Sequence, residues 1–215
     1  LPFSGIAELH TVARYIADHQ SPKRVVIGLD FASFGDARSA GGDFAESGFA
    51  GRSMTPIILE RLFSAQSLGD SVSVVRDSVR GKISPFSKFG NYDPKAAGAH
   101  PDIHAQYVSS LDVYISPTYP TFTYTPANLD LLRETIATLS QTGAEVILYI
   151  SPLHELHQAA IDAVGLRADF ARWKRDLVRL VAETTGLEVS LWDFADYNSV
   201  TAEPVSPQAD QTMRW

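Results

Sequence analysis

The sequence contains no cysteine. Disulfides, thiolate zinc sites and cysteine nucleophiles are therefore excluded. It has no long apolar run either. Stretches such as "VILYI" at 146–150 are far below the ~20 residues a membrane-spanning helix needs. Contact with a membrane is not visible in the chain. Basic residues are few: 18 Lys and Arg stand against 25 Asp and Glu, for a formal charge of −7. No Lys/Arg cluster offsets that balance, so nucleic acid is a poor partner. Gly81-Lys82 lacks both the earlier glycine and the following Ser/Thr of a phosphate loop. No cofactor is expected. The chain starts at Leu1 rather than Met and stops at "TMRW". We expect a piece of a longer protein, in which a targeting segment would not be visible.

What remains is ordinary globular composition, 45% hydrophobic and 20% charged over 215 residues. That suffices for one α/β domain with an insertion. Residues 5–18 carry Ile6, Leu9, Val12 and Ile16 at helical spacing. "VVIGLDF" at 25–31 is a short β-branched run suited to a buried parallel strand. The glycine-rich residues 35–53 read as loop. Two helices are predicted over 55–80, "TPIILERLFSAQ" and "SVSVVRDSV", before a Gly/Pro-rich loop at 81–99. "DIHAQYVSSLDVYI" places Ile103, Tyr107, Leu111 and Tyr114 on one helical face. Thr125-Pro126 reads as an N-cap and first helical residue. The helix it opens carries Leu129, Leu132, Ile136 and Leu139, and Gly143 ends it. A second strand follows at 144–151. A helical stripe of Phe170, Trp173, Leu177, Leu180 and Val181 is next, stopped by Gly186, and a third strand lies at 187–194. Strand, helix, strand, helix, strand argues for a parallel sheet with right-handed crossovers, in the order 25–31, 144–151, 187–194. An insertion at about 35–125 is expected to sit over the carboxyl edge of that sheet.

Gly69-Asp70-Ser71 matches the nucleophile signature of the GDSL, or SGNH, hydrolases. Such a serine needs a buried strand just before it. Here Ile57, Ile58, Leu62 and Phe63 form a helical stripe instead, and Val72, Val75 and Val79 continue one. Ser67-x-x-Asp70 resembles a capping box, so Ser67 or Asp70 should cap a helix there. The signature's partner, Asp-x-x-His, supplies the base and its orienting carboxylate. None of His10, His19, His100, His104, His154 and His157 has Asp three residues before it. The triplet is expected to be structural, with Ser71 near a helix start and away from the sheet's carboxyl edge.

Elsewhere the chain does resemble the SGNH-hydrolase superfamily, in a bacterial branch related to cell-envelope polysaccharide acetyltransferase-like proteins. The resemblance lies in "VVIGLDFASF", "EVILYISPLHELH", "FARWKRDLVRL" and "LWDFADYNSVTAEPV…MRW". It implies a three-layer, flavodoxin-like parallel sheet with helices on both faces and one truncated domain over 1–215. It also implies an esterase or O-acyltransferase acting on a carbohydrate ester of the bacterial envelope or periplasm. Gly5 then falls where the family's glycine donates its backbone N–H, and Gly28-Leu29-Asp30 where Gly-x-Asn would be. The family's serine and Asp-x-x-His would lie outside the chain, leaving the catalytic residues unassigned. The sheet would lack a strand beside 25–31 and expose an edge open to self-association.

Asp30 departs from the family pattern. Asn donates an N–H to a tetrahedral oxyanion, whereas an ionised Asp repels it. Asp30 would serve only if protonated or if it orients a base; otherwise it caps the loop after its strand. His154 and Asp193, each beyond the end of a strand, are further candidates for the active face. His154 and His157 could together ligate a metal in a metal-dependent hydrolase, but zinc needs a further ligand that the sequence does not identify. Each of these residues also has a structural reading, as a packed imidazole or a carboxylate bonded to loop amides. Tyr114, Tyr119, Phe122 and Tyr124 around "PTYPTFTYTP" would either contact carbohydrate or pack against the insertion. A non-catalytic carbohydrate-binding or assembly module is the remaining alternative.

Overall fold

Alternation within three short strands decides which side of the sheet becomes core. The computed structural model describes residues 5–35, 44, 55, 58–59, 62–81, 103–184 and 186–205. Strands β1 (Arg24–Leu29), β2 (Glu145–Ile150) and β3 (Val189–Asp193) pair in parallel, in the order β1-β2-β3. The register aligns Ile27 with Leu148 and Leu191, and Leu29 with Ile150 and Asp193. Ile27, Leu29, Val146, Leu148 and Ile150 are buried, while Val26 and Trp192 on the other face are 58% and 57% exposed. β1 is therefore half-buried, not covered on both faces as its apolar run suggested. Among the described residues no strand pairs with the other edge of β1.

The connections account for the one-sided burial. Helix α1 (Ile6–His19) precedes β1. Helix α4 (Ala127–Ser140) leads into β2, and α6 (Arg167–Glu183) leads into β3. Both crossovers step in the same direction along the sheet, and right-handed connections then put both helices on the same face. α4 buries Leu129, Leu132, Ile136 and Leu139, the stripe its sequence spacing predicted. α6 buries Phe170, Trp173, Leu177 and Leu180, and α1 adds Ile6 and Ala13 to the same core. Gly143 and Gly186 sit at φ +79° and +83°. Both end helical stretches in the left-handed conformation that a Cβ disfavours. Thr125 does not cap α4: its hydroxyl donates to the Thr123 carbonyl at 3.2 Å, and Pro126 occupies the capping position. Helix α5 (Glu155–Ala163) lies between β2 and α6.

The chain divides into two compact units, Leu1–Gly51 with Ser109–Glu203, and Arg52–Val108 with Pro204–Trp215. The first holds the sheet. In the second, helix α2 (Ala65–Val79) runs straight through Gly69-Asp70-Ser71. Its cap is Ser64, whose hydroxyl accepts the Ser67 amide at 3.0 Å, rather than Ser67 or Asp70. The predicted break between two helices thus falls at 63–64, because the capping serine lies three residues earlier than expected. Ser71 is exposed, and its Oγ donates to the Ser67 carbonyl at 2.7 Å, one turn back in its own helix. A hydroxyl so used donates to no histidine among the described residues, which fits the structural reading of the triplet. Ser71→Ala should shift the urea midpoint by no more than corresponds to ~0.5 kcal/mol. A larger loss would show that the serine supports something beyond its helix. Helix α3 (Ile103–Val113) ends in a π-helical turn, Tyr114–Thr118, and a 3₁₀ turn, Tyr119–Thr121.

Candidate functional site

β1 delivers its last residue, Leu29, into the core and leaves Asp30 at the carboxyl edge of the sheet. The chain then tightens into a 3₁₀ turn, Phe31–Phe34, with Asp30 at its N-cap. The Asp30 carbonyl accepts the Ser33 amide at 3.0 Å, but its side chain makes no capping bond. The exposed carboxylate has no hydrogen-bond or ion-pair partner among the described residues. It is thus not the loop cap that a structural reading required.

Beside it opens a cavity of about 370 Å³ within the first unit. Three sequence-distant segments meet there. The start of α1 supplies Gly5, Ile6 and Ala7. The Gly5 carbonyl accepts from the Glu8 and Leu9 amides. The first amides of the helix have no partner inside it and carry the positive end of its dipole, roughly half a charge. The turn after β1 supplies Asp30, Ala32, Ser33 and Gly35, and the stretch from Tyr114 to Leu131 supplies the rest of the described lining. Asn128, 7% exposed, donates Nδ2 to the Gly35 carbonyl at 2.7 Å, which leaves Oδ1 as its remaining acceptor. Gly35 is needed for close approach: a Cβ there would meet the Phe122 ring at 2.9 Å. Phe122 also packs on Phe31, with ring centres 4.6 Å apart. Thr118 donates to the Val113 carbonyl across the π-helical turn, and its oxygen remains able to accept.

A smaller cavity of about 40 Å³ shares Asp30, Ala32 and Tyr114 with the large one and adds Tyr119, Ser151 and His157. His157 Nε2 lies 2.6 Å from the Tyr119 hydroxyl. Burial, and then the neighbouring His154, pushes His157 down to about 4. Burial, then Tyr114 and Asp30, raises Tyr119 well above the usual phenol range. Tyr119 therefore donates and a neutral imidazole accepts. Tyr114 lies on the same imidazole at a ring separation of 4.5 Å. Its phenol is also raised, by burial and by the charge of Asp30.

Of the residues singled out in the sequence, Gly5 and Asp30 meet in the large cavity; His154 and Asp193 do not line it. His154 caps α5 and is 2% exposed. Its Nδ1 accepts the Leu156 amide at 3.2 Å, so Nε2 carries the proton and donates to the Glu203 carbonyl at 2.7 Å. With both ring nitrogens engaged, His154 is a structural brace. His157 has given Nε2 to Tyr119, and no group of three His, Cys, Asp or Glu could hold a metal among the described residues. Asp193 ends β3 and is likewise tied down. Oδ1 accepts the Ala195 amide at 2.9 Å, and Oδ2 pairs with Lys174 at 2.8 Å. Gly28 faces the open side of the sheet, where its missing Cβ makes room for the Tyr149 hydroxyl, 2.7 Å from that point.

The sequence reading missed Ser33, Asn128 and His157 as companions of Asp30. Asn128 and His157 carry no local signal, because only packing brings them there. The aromatic cluster could be seen in part. Tyr119 and Tyr124 are buried, whereas Tyr114 and Phe122 line the cavity. The cavity is lined by the start of α1 and by two acceptor-bearing side chains, Asp30 and Asn128. No Lys or Arg is among its described lining residues. That arrangement suits a hydroxyl-bearing ligand with an acyl oxygen. No histidine is among its described lining residues, so these residues do not make a serine–histidine pair. No family model, curated protein or solved structure matches the chain.

Proposed function

We propose that this chain carries the substrate-binding cavity of an SGNH-like esterase or O-acyltransferase acting on an envelope carbohydrate. The observation that supports it is the meeting of Gly5 and Asp30 in one cavity at the carboxyl edge. These are the two positions that the family resemblance assigned to the oxyanion side. In this reading the first amides of α1 face the acyl oxygen, and Asp30 and Asn128 accept hydrogen bonds from sugar hydroxyls. Phe122 and Tyr114 offer ring faces to the sugar. The same reading makes the sheet part of a three-layer, flavodoxin-like fold. A further strand would pair with the free edge of β1, and a second helical layer would cover Val26 and Trp192. Left unpaired, that edge would favour self-association.

Calorimetric titration with an O-acetylated xylo-oligosaccharide, and with the same oligosaccharide deacetylated, tests the reading. An ester site should prefer the acetylated form about fivefold, the worth of one well-placed hydrogen bond. Hydrolysis of p-nitrophenyl acetate by the 215-residue chain should not exceed buffer, because no histidine stands beside a hydroxyl among the described lining residues. A second reading, a non-catalytic carbohydrate-binding module, is favoured by Asp30 standing where an oxyanion donor would be. It expects equal binding of both forms. Binding of neither would defeat both readings.

A further inference from the structure

We propose that Asp30 is a specificity residue that reads an ammonium group, so that the cavity prefers an amine-bearing sugar over a neutral one and rejects uronates. The inference rests on the carbohydrate reading above and adds the charge of the sugar. It starts from an imbalance. The Asp193 carboxylate, at the end of β3, has Lys174 at 2.8 Å and a backbone amide at 2.9 Å. Asp176 has Arg172 at 3.6 Å and Arg179 at 3.3 Å. Asp30, at the end of β1, has neither a cation nor a donor among the described residues, yet it lines a cavity of about 370 Å³.

The surroundings of Asp30 do not supply the missing charge. No Lys or Arg lines either cavity among the described residues. The phenols of Tyr114 and Tyr119 keep their protons, in part because Asp30 is nearby. They add hydroxyls and ring faces without adding a cation. The amides of α1 carry only a partial positive charge, roughly half a unit, which suits the dipole of an acyl group better than a second formal anion. A uronate would bring its carboxylate into a cavity whose one formal charge among the described lining residues is already negative. A protonated amine would give Asp30 the partner it lacks, and the ring faces of Tyr114 and Phe122 would attract it as well.

Three oligosaccharides of equal length separate the outcomes: glucosamine oligomers, their N-acetylated form and a galacturonate oligomer, each titrated into the chain and into Asp30→Asn at low salt. Asp30 is exposed, so the gain should be that of a screened ion pair, about fivefold for the amine over the acetylated form. The chain's overall charge of −7 attracts any polycation, so the part that counts is the part lost in Asp30→Asn. That variant should bind the amine and acetylated forms within about twofold of each other and bind the galacturonate more tightly than the parent chain does. Asp30 makes no side-chain bond, so the variant should keep its fold, checked by its unfolding midpoint. An amine preference that survives Asp30→Asn, or none at all beside firm binding of the acetylated form, overturns the charge assignment and leaves the carbohydrate reading standing. Binding of none of the three overturns both.

Discussion

Trp173→Ala should cost ~3–5 kcal/mol, the usual range for deleting a large buried aromatic side chain. Trp173 is fully buried. Its ring lies 5.5 Å from Phe31, 5.4 Å from Phe34 and 5.7 Å from Phe170, centre to centre. Phe31 and Phe34 form the turn that carries Asp30, so α6 holds that turn through this cluster. Truncation leaves a void between rigid rings that cannot all close on it. Trp173→Phe should cost far less. Among the described residues the indole Nε1 has no hydrogen-bond partner, so removing it also removes an unsatisfied buried donor. Urea unfolding of both variants measures the two costs. Near-equal losses would mean that the indole nitrogen has a partner after all.

Acidification should weaken the fold between pH ~6.5 and ~4. His157 titrates at about 4 in the folded chain and near 6.5 when unfolded. Its folded value is depressed, so between these pH values the unfolded chain binds more protons. Stability is therefore complete above ~6.5 and falls as the pH drops through the window, by at most ~3 kcal/mol. Tyr119, Tyr114 and His154 surround the ring, and none offers it a negative charge. Carboxylates titrate in the lower part of the same range, so the comparison that isolates His157 is with His157→Gln. The variant should be less stable at pH 7.5, where it loses the acceptor for Tyr119, and the gap should narrow as the pH falls to 4.5. A constant gap over that range would mean that His157 is not held neutral.

The sequence carried the sheet and its order well, because short β-branched runs and helical stripes are local patterns. Val25 to Leu29, Leu129 to Leu139 and Phe170 to Leu180 all lie where their spacing put them. The one-sided burial of β1 was not legible: Val26 and Ile27 are equally apolar, and only packing tells them apart. Ser64 was passed over as a cap because Ser67-x-x-Asp70 offered a better-known pattern three residues on. The site was legible at its two backbone-defined corners, Gly5 and Asp30, since strand ends and helix starts can be read from sequence. Its walls were not. Asn128 reaches Gly35 across 93 positions, and His157 meets Tyr119 across 38. His154 had the stronger sequence position, but both of its ring nitrogens are engaged, and His157 one turn on holds the buried Tyr119 phenol.

If carbohydrate binds in the cavity beside Asp30, backbone amide shifts in ¹⁵N-labelled chain, followed during titration with an O-acetylated xylo-oligosaccharide, will report it. Saturable shifts are expected at Gly5, Ile6, Ser33, Gly35 and Asn128, with Val26 and Trp192 on the open sheet face unmoved. Shifts confined to that open face or to α2, with Gly5 and Asp30 unchanged, would contradict it.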